Sequence, residues 1–339
     1  MKDYENRNKY PTLKDVAERA GVSPITVSRV FNEKWQGKVK EDTVNKVLDA
    51  AKYLGYSPNR IARSLNSDKT NIIAVVIGEQ TGVYYNAISH QIVKGIQNSG
   101  RQALVFVADH SYGMKKIVRQ VNEYRVDGII VTSPATKTQV MNFLYDSKIP
   151  ILLFNRKLQH SSASAVWCES TAGMEKLVGF LVDNDLKTVS VIKGFGEKER
   201  NNAFIEKAKE KGIKIQEILD GDYTYESGYQ KAVKILSNGP RPDVIVSGDD
   251  NMALGVIDAA RLEFNLGIPE DISVIGFDDN ELASLKSYDL TTIRQPVEEM
   301  LDFMFEMLED LMDDPSKQIL RSYEAELVIR GSVKLKSNK

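Results

Sequence analysis

Between Thr12 and Leu54 the apolar residues come in three short bursts at helical spacing. Leu13, Val16, Ala17 and Ala20 fall at i, i+3, i+4 and i+7. Val27, Val30 and Phe31 form a second group, and Val44, Val47, Leu48 and Ala51 a third. Each burst carries its own punctuation. Thr12 with Asp15 three residues on reads as an N-cap and its reciprocal acid, Gly21 as a left-handed stop, and Ser23 with Pro24 as a cap followed by proline at the first helical position. These signals predict helices from Leu13 to about Ala20, from Pro24 to near Asn32, and from about Glu41 to Leu54, with Gly55 closing the last. Two helices joined by a tight glycine turn, with a third completing a small core, make a helix-turn-helix unit. While its valines turn inward, the second helix leaves Pro24, Ile25, Thr26, Ser28 and Arg29 outward. One fork-shaped donor, one small apolar contact and several hydroxyls suit guanine edges, thymine methyls and phosphates.

From Asn71 onward the pattern changes to near-continuous apolar runs separated by amphipathic stretches. Strands are expected at 72–77, 103–108, 128–133 and 150–155, and again at 188–193, 213–218, 243–248 and 272–278. Runs apolar on both faces imply parallel sheets covered by helices on each side. Two similar sets imply two similar lobes, so the expected fold class is a small all-α head on an α/β body of two parallel-sheet lobes. Between head and body, Pro58 to Leu65 has the length of two helical turns, too short to be helical alone in water.

Ligands of open α/β sheets bind beyond the carboxyl ends of the strands. There the sequence places Asn155, Arg156, Asp249, Asp250, Asp278 and Asp279, with Tyr84, Tyr85, Phe154, Tyr223 and Phe277 as candidate stacking surfaces. Any one strand-end Asp or Asn is as well explained as a helix cap. As a set they suit a polyhydroxylated ligand such as a sugar.

Charge sharpens the division. Residues 1–69 carry 14 Lys and Arg against 9 Asp and Glu, net +5, and the remainder 31 against 38, net −7. A basic head fits a polyanion that the acidic body avoids. With 42% hydrophobic and 27% charged residues in 339, the composition is that of a folded globular chain with room for two or three cores. No apolar leader or membrane-length run is present, so a cytoplasmic location is expected. Catalytic signatures are missing as well. His90, His110 and His160 lack metal-ligand spacing, Cys168 has no histidine beside it, and there is no phosphate-binding glycine loop or nucleophile elbow, so neither an enzyme nor a cofactor is expected.

The stretches "LKDVAERAGVSPITVSRVFN" and "YLGYSPNRIARSL" resemble the N-terminal signature of the lac repressor/galactose repressor (LacI/GalR) family of bacterial transcription regulators. "DDNMALGVIDAA", "IPEDISVIGFDD", "LTTIRQP" and "ELVIRGS" extend the resemblance over nearly the whole chain. What it implies is a DNA-binding domain over 1–56 and a hinge helix and linker over 57–70. An effector-binding and dimerisation domain, like a periplasmic sugar-binding protein, would cover 71–339. Its N-lobe would be 71–167 with 295–323 and its C-lobe 168–294 with 324–339. Pro24, Ile25 and Arg29 would face the major groove, with Thr12, Ser23, Thr26, Ser28 and Asn32 at the backbone or in caps. Asn59, Ala62, Arg63 and Leu65 would enter the minor groove, Leu65 as a wedge. Tyr84, Tyr85, Asn155, Arg156, Arg200, Tyr223, Asp249 and Asp278 would line the effector cleft. Departures from the family pattern are Lys40 in place of a capping serine, Asp249 in place of asparagine and Ala203 in place of glycine. The function implied is repression at a two-fold operator by a homodimer under allosteric control of a carbohydrate-like effector. A corepressor- or partner-protein-dependent regulator is the alternative, and a transporter's solute-binding protein a more distant one.

Overall fold

In the computed structural model, which describes residues 10–32, 35, 37–58, 69–78, 82–108, 113–132, 149–158, 163–194 and 198–336, the head's helices follow their punctuation. They are α1 (Leu13–Ala20), α2 (Pro24–Val30) and α3 (Glu41–Leu54). The Thr12 hydroxyl accepts from the Asp15 N–H while the Asp15 carboxylate accepts from the Thr12 N–H at 2.6 Å, a complete capping box. Gly21 closes α1 at φ +66°, which glycine reaches without a Cβ clash. The Ser23 hydroxyl then accepts from the Thr26 N–H at 3.2 Å and starts α2. Val16, Ala17, Val27, Val47, Ala50 and Ala51 form the core, with Val30 and Phe31 packed at its margin. Leu48, expected inside, is 45% exposed on the outer side of α3. Lys40 supplies no side-chain cap to α3, so Glu41 and Asp42 in the first turn are its remaining electrostatic support.

The chain divides into two compact units, 1–70 and 71–339. The second unit holds two six-stranded sheets. One is ordered β11-β5-β4-β3-β1-β2 and contains β1 (Ile72–Gly78), β2 (Gln102–Ala108), β3 (Gly128–Val131), β4 (Ile151–Phe154), β5 (Ser164–Glu169) and β11 (Leu320–Glu324). The other is ordered β12-β10-β9-β8-β6-β7 and contains β6 (Thr188–Lys193), β7 (Lys214–Asp220), β8 (Val244–Ser247), β9 (Ser273–Asp278), β10 (Thr291–Arg294) and β12 (Glu326–Val328). All pairings are parallel except β10 with β12. The two orders are the same permutation, so the lobes share one topology except at the edge, where β11 runs parallel to β5 and β12 antiparallel to β10. In each the order reverses beside the first strand, β1 or β6, which opens a crevice at the strand ends. The residues after β1, 79–81, lie outside the described set.

Among the described residues seven further helices cover the sheets: α4 (Val83–Asn98), α5 (Gly113–Tyr124), α6 (Ser170–Asp183), α7 (Lys198–Glu210), α8 (Tyr225–Ser237), α9 (Asp250–Phe264) and α10 (Val297–Asp313). No described helix is long and apolar enough to cross a membrane. The chain passes between sheets three times: from β5 into α6, from β10 through Gln295 into α10, and from β11 through the fully buried Ala325 into β12. α10 packs on α4, β4 and β5, so the last long helix completes the first lobe. In the second lobe α8 and α9 approach backbone to backbone. A Cβ on Gly228 would stand 2.1 Å from the Met252 carbonyl oxygen, and one on Gly255 2.2 Å from that of Tyr225. Only glycine permits that separation.

Candidate functional site

In the head, α2 turns Val27 fully into the core and leaves Pro24, Ile25, Ser28 and Arg29 at the surface, with Ile25 65% exposed. Thr26 is half-buried, its hydroxyl 2.9 Å from that of Ser23, and Thr12 and Ser23 are both engaged as caps. Asn32 is exposed one residue beyond the C-cap of α2. Arg29 lies over the Trp35 ring, its Cζ 4.3 Å from the centroid. Asn59, Ala62, Arg63 and Leu65 lie outside the described residues.

In the body, the expected cleft residues converge between the lobes. Asn155 leaves the end of β4 at φ +54°, and its amide donates to the Gln295 side-chain oxygen at 2.8 Å. Gln295 in turn donates to an Asp278 carboxylate oxygen at 2.6 Å. Asp278 ends β9 at φ +110°, a conformation rare outside glycine and held here by its neighbours. The Asn155 amide also lies 3.4 Å from the Tyr84 hydroxyl, while its oxygen accepts from the Cys168 N–H at 3.2 Å. A continuous polar chain, Tyr84–Asn155–Gln295–Asp278, thus runs from the first lobe to the second through a residue of the crossover. Gln295 was not singled out in the sequence, because its role arises only where the chain changes lobes. Nearby, Gly82 at the start of α4 stands against the Asn251 amide at the start of α9, with 3.0 Å to an added Cβ.

Arg200 on α7 is buried, donates to the Gly248 carbonyl at 2.9 Å and covers the Phe277 ring, Cζ 3.7 Å from the centroid. Tyr223, at φ +68°, lays its ring on the Gly194 backbone at the end of β6. Tyr84 and Tyr85 meet edge to face at 5.2 Å, and Arg156 is half-buried beside Asn155. Four expectations are corrected. Phe154 and Phe277 are both fully buried, core residues rather than stacking surfaces for a ligand. Asp250 is fully buried, accepting from the Thr292 hydroxyl at 2.6 Å and the Asn280 N–H at 2.7 Å, which makes it internal scaffolding of the second lobe. Asp279 pairs with Arg294 at the end of β10 and Arg330 just beyond β12, each at 2.6 Å, and so fastens the end of β9 to that edge of the second sheet. Asp249 is 4% exposed and caps α9 through the Met252 N–H at 2.9 Å. Among the described residues no His, Cys, Asp and Glu cluster could hold a metal ion.

These carboxyls share one small volume. Burial pushes Asp249 up to about 7 and Asp250 up to about 8, against an ordinary 3.8. Asp278 rises well above the usual range, first through burial and then through Asp250 and Asp249, with Arg200 opposing. Burial likewise lifts the Cys168 thiol to about 12. A carboxyl raised in the folded state keeps its proton there over a range where the unfolded chain has lost it. Stability therefore falls as pH rises from about 3.8 to about 8. The protein should unfold at a higher temperature at pH 5.5 than at pH 8, and Asp249→Asn should shrink that difference. An unchanged difference in thermal scans would place Asp249 outside the effect.

Comparison with known proteins agrees with this arrangement. A family model described as bacterial regulatory proteins, lacI family, matches residues 12–59, and one described as a periplasmic binding protein-like domain matches 176–333. The HTH-type transcriptional repressor PurR of Vibrio vulnificus is 32% identical over 336 residues, 95% of this chain and 98% of that protein. Catabolite control protein A of Priestia megaterium is 30% identical over 298 residues, 84% and 88% of the two chains. The lac repressor dimer bound to operator and the anti-inducer ONPF aligns with a TM-score of 0.84 at 26% identity, covering 96% of this chain and 99% of that one. Outward polar positions on α2, a two-lobed body with polar residues gathered at its strand ends, and full-length similarity to repressors converge on one assignment: the chain belongs to the lacI family of bacterial regulatory proteins, DNA-binding transcriptional repressors controlled by a ligand rather than enzymes.

Proposed function

We propose that this repressor, working in the cytoplasm as a homodimer, reads a two-fold operator through α2 and is controlled by a small donor-rich molecule, carbohydrate-like in chemistry, held between its lobes. In this reading residues 1–56 bind DNA, 57–70 form the hinge and 71–339 bind effector and the second copy. Pro24, Ile25 and Arg29 face the bases, with Thr12, Ser23, Thr26, Ser28 and Asn32 on phosphates or in caps, and Asn59, Ala62, Arg63 and Leu65 in the minor groove. The carrying observation is the Tyr84–Asn155–Gln295–Asp278 chain. A ligand entering there competes for hydrogen bonds that presently join one lobe to the other, so its occupancy and the lobe arrangement are linked. Arg200 and Tyr223 at neighbouring strand ends, with Asp249, Arg156, Tyr84 and Tyr85, supply further polar and aromatic contacts. A relative of similar fold, the transcriptional regulator CelR, 25% identical with a TM-score of 0.70, has been solved as a cellobiose complex, which favours a sugar.

The test is fluorescence anisotropy at fixed salt with a duplex selected by the protein from a random library, repeated over sugars, sugar acids and phosphosugars. Release by one compound fits the proposal. Tightening by one compound makes that ligand a corepressor, and no response to any of them overturns the carbohydrate assignment. In the same assay Arg29→Ala should weaken the selected duplex by about 5- to 100-fold (~1–3 kcal/mol) while leaving random DNA nearly unaffected. Equal losses on both would make Arg29 a phosphate contact.

A further inference from the structure

Trp35 lies in the connection from α2 to α3, on a tight turn where its N–H donates to the Asn32 carbonyl at 2.9 Å and its own carbonyl accepts from the Lys38 N–H at 3.0 Å. It is not part of the head's core, which valine and alanine fill, and its side is 38% exposed. The ring instead supports two cations: the Arg29 guanidinium at 4.3 Å and the Lys38 ammonium at 5.5 Å from its centroid. A large apolar side chain kept at the surface beside the outward arginine of α2 calls for an explanation beyond stability.

The chemistry of the stack supplies one. A carboxylate partner would consume the guanidinium's in-plane N–H donors and neutralise its charge. An aromatic face takes only the planar surface of the group and leaves the in-plane donors available. Bidentate contact with guanine O6 and N7 uses those donors. A stacked arginine also has fewer rotamers to lose on binding, which favours the fork over a loosely held cation that any phosphate could satisfy.

We propose that Trp35 is a positioning residue for sequence reading: it holds Arg29 in a direction fit for a base edge, and so raises discrimination between operator and other DNA without touching a base itself. This rests on Arg29 being the base-contacting residue. Lys38, a point charge on the same ring, is suited to the neighbouring phosphate.

The test uses full-length protein, the duplex it selects from a random library and a scrambled duplex of equal length, each over a salt series. Trp35→Leu keeps apolar bulk and removes the π face. It should weaken the selected duplex about 3- to 10-fold and leave the scrambled duplex and the salt slope unchanged, while Trp35→Phe should stay within about 2-fold of the parent on both. In an Arg29→Ala background, Trp35→Leu should have no further effect. Equal losses on the two duplexes, failure of phenylalanine to rescue, or additivity with Arg29→Ala would each overturn the proposal. Arg29→Ala alone, compared on the two duplexes, tests the underlying reading separately. A non-specific loss there would remove Arg29 as a base reader, whereas a specific loss with additive tryptophan effects would remove only Trp35.

Discussion

Asp278→Asn is expected to leave operator binding within about 3-fold of the parent and to raise the effector concentration needed for a response by about 30- to 100-fold, or roughly 2–3 kcal/mol. The reasoning is local. Asp278 accepts from Gln295 at 2.6 Å, and asparagine can offer its oxygen to the same donor while tolerating a positive φ. The polar chain between the lobes therefore survives. What is lost is the acceptor that the second carboxyl oxygen offers a ligand hydroxyl: the asparagine amide nitrogen that replaces it only donates, and leaves a buried hydroxyl without its partner. Titrations of the anisotropy signal with the identified effector measure this directly. A variant that responds at the parental concentration would remove Asp278 from the ligand contacts and leave Arg200 and Tyr223 to carry recognition.

Gly228→Ala should be the most disruptive single methyl in the second lobe. Its Cβ would lie 2.1 Å from the Met252 carbonyl oxygen and 2.5 Å from the Met252 Cα, both backbone atoms of α9 that no rotamer change can move. Relief requires α8 and α9 to part by more than an ångström, and those helices cover one face of the second sheet. A loss of about 3 kcal/mol follows, visible as a fall in unfolding temperature of roughly 6–12 °C for a body of this size. Gly179 on α6 is the matched control, since nothing lies within 4 Å of its added Cβ. Gly179→Ala should be neutral or stabilise by up to ~1 kcal/mol through helix propensity. If both variants unfold alike, the close approach of α8 and α9 is not what limits substitution.

The head was legible nearly to the residue, because caps are local chemistry: Thr12, Asp15, Gly21, Ser23 and Pro24 act within four positions of themselves. Leu48 misled because periodicity marks a face without saying whether anything covers it. Eight body strands were legible because each carries a run of apolar residues, buried in the inner strands and half-exposed in β2 and β7 at the sheet edges. β5, β10, β11 and β12 were not. β11 ("LRSYE") and β12 ("ELV") end their sheets and keep mainly polar or half-exposed side chains, while β10 ("TTIR") holds a single aliphatic residue among two threonines and an arginine. In the cleft, strand-end position brought forward Asn155 and Asp278, which do meet through one glutamine. The same rule brought forward Asp250 and Asp279, whose partners Thr292, Asn280, Arg294 and Arg330 are distant in sequence and unknowable without the fold.

The three crossings also fix an order of events at the ribosome. The second lobe is nearly complete once β10 has emerged, but α10 and β11, which belong to the first lobe, are still to be made. Until then α4 and β4 and β5 present uncovered the apolar surface that Met300, Met304, Met307 and Leu311 will bury. Translation that halts before Glu324, the end of β11, therefore yields a chain with an intact DNA-reading head and an unfinished first lobe. Uncovered apolar surface of this kind is what chaperones and proteases triage, so disposal of an incomplete chain follows from the connectivity itself.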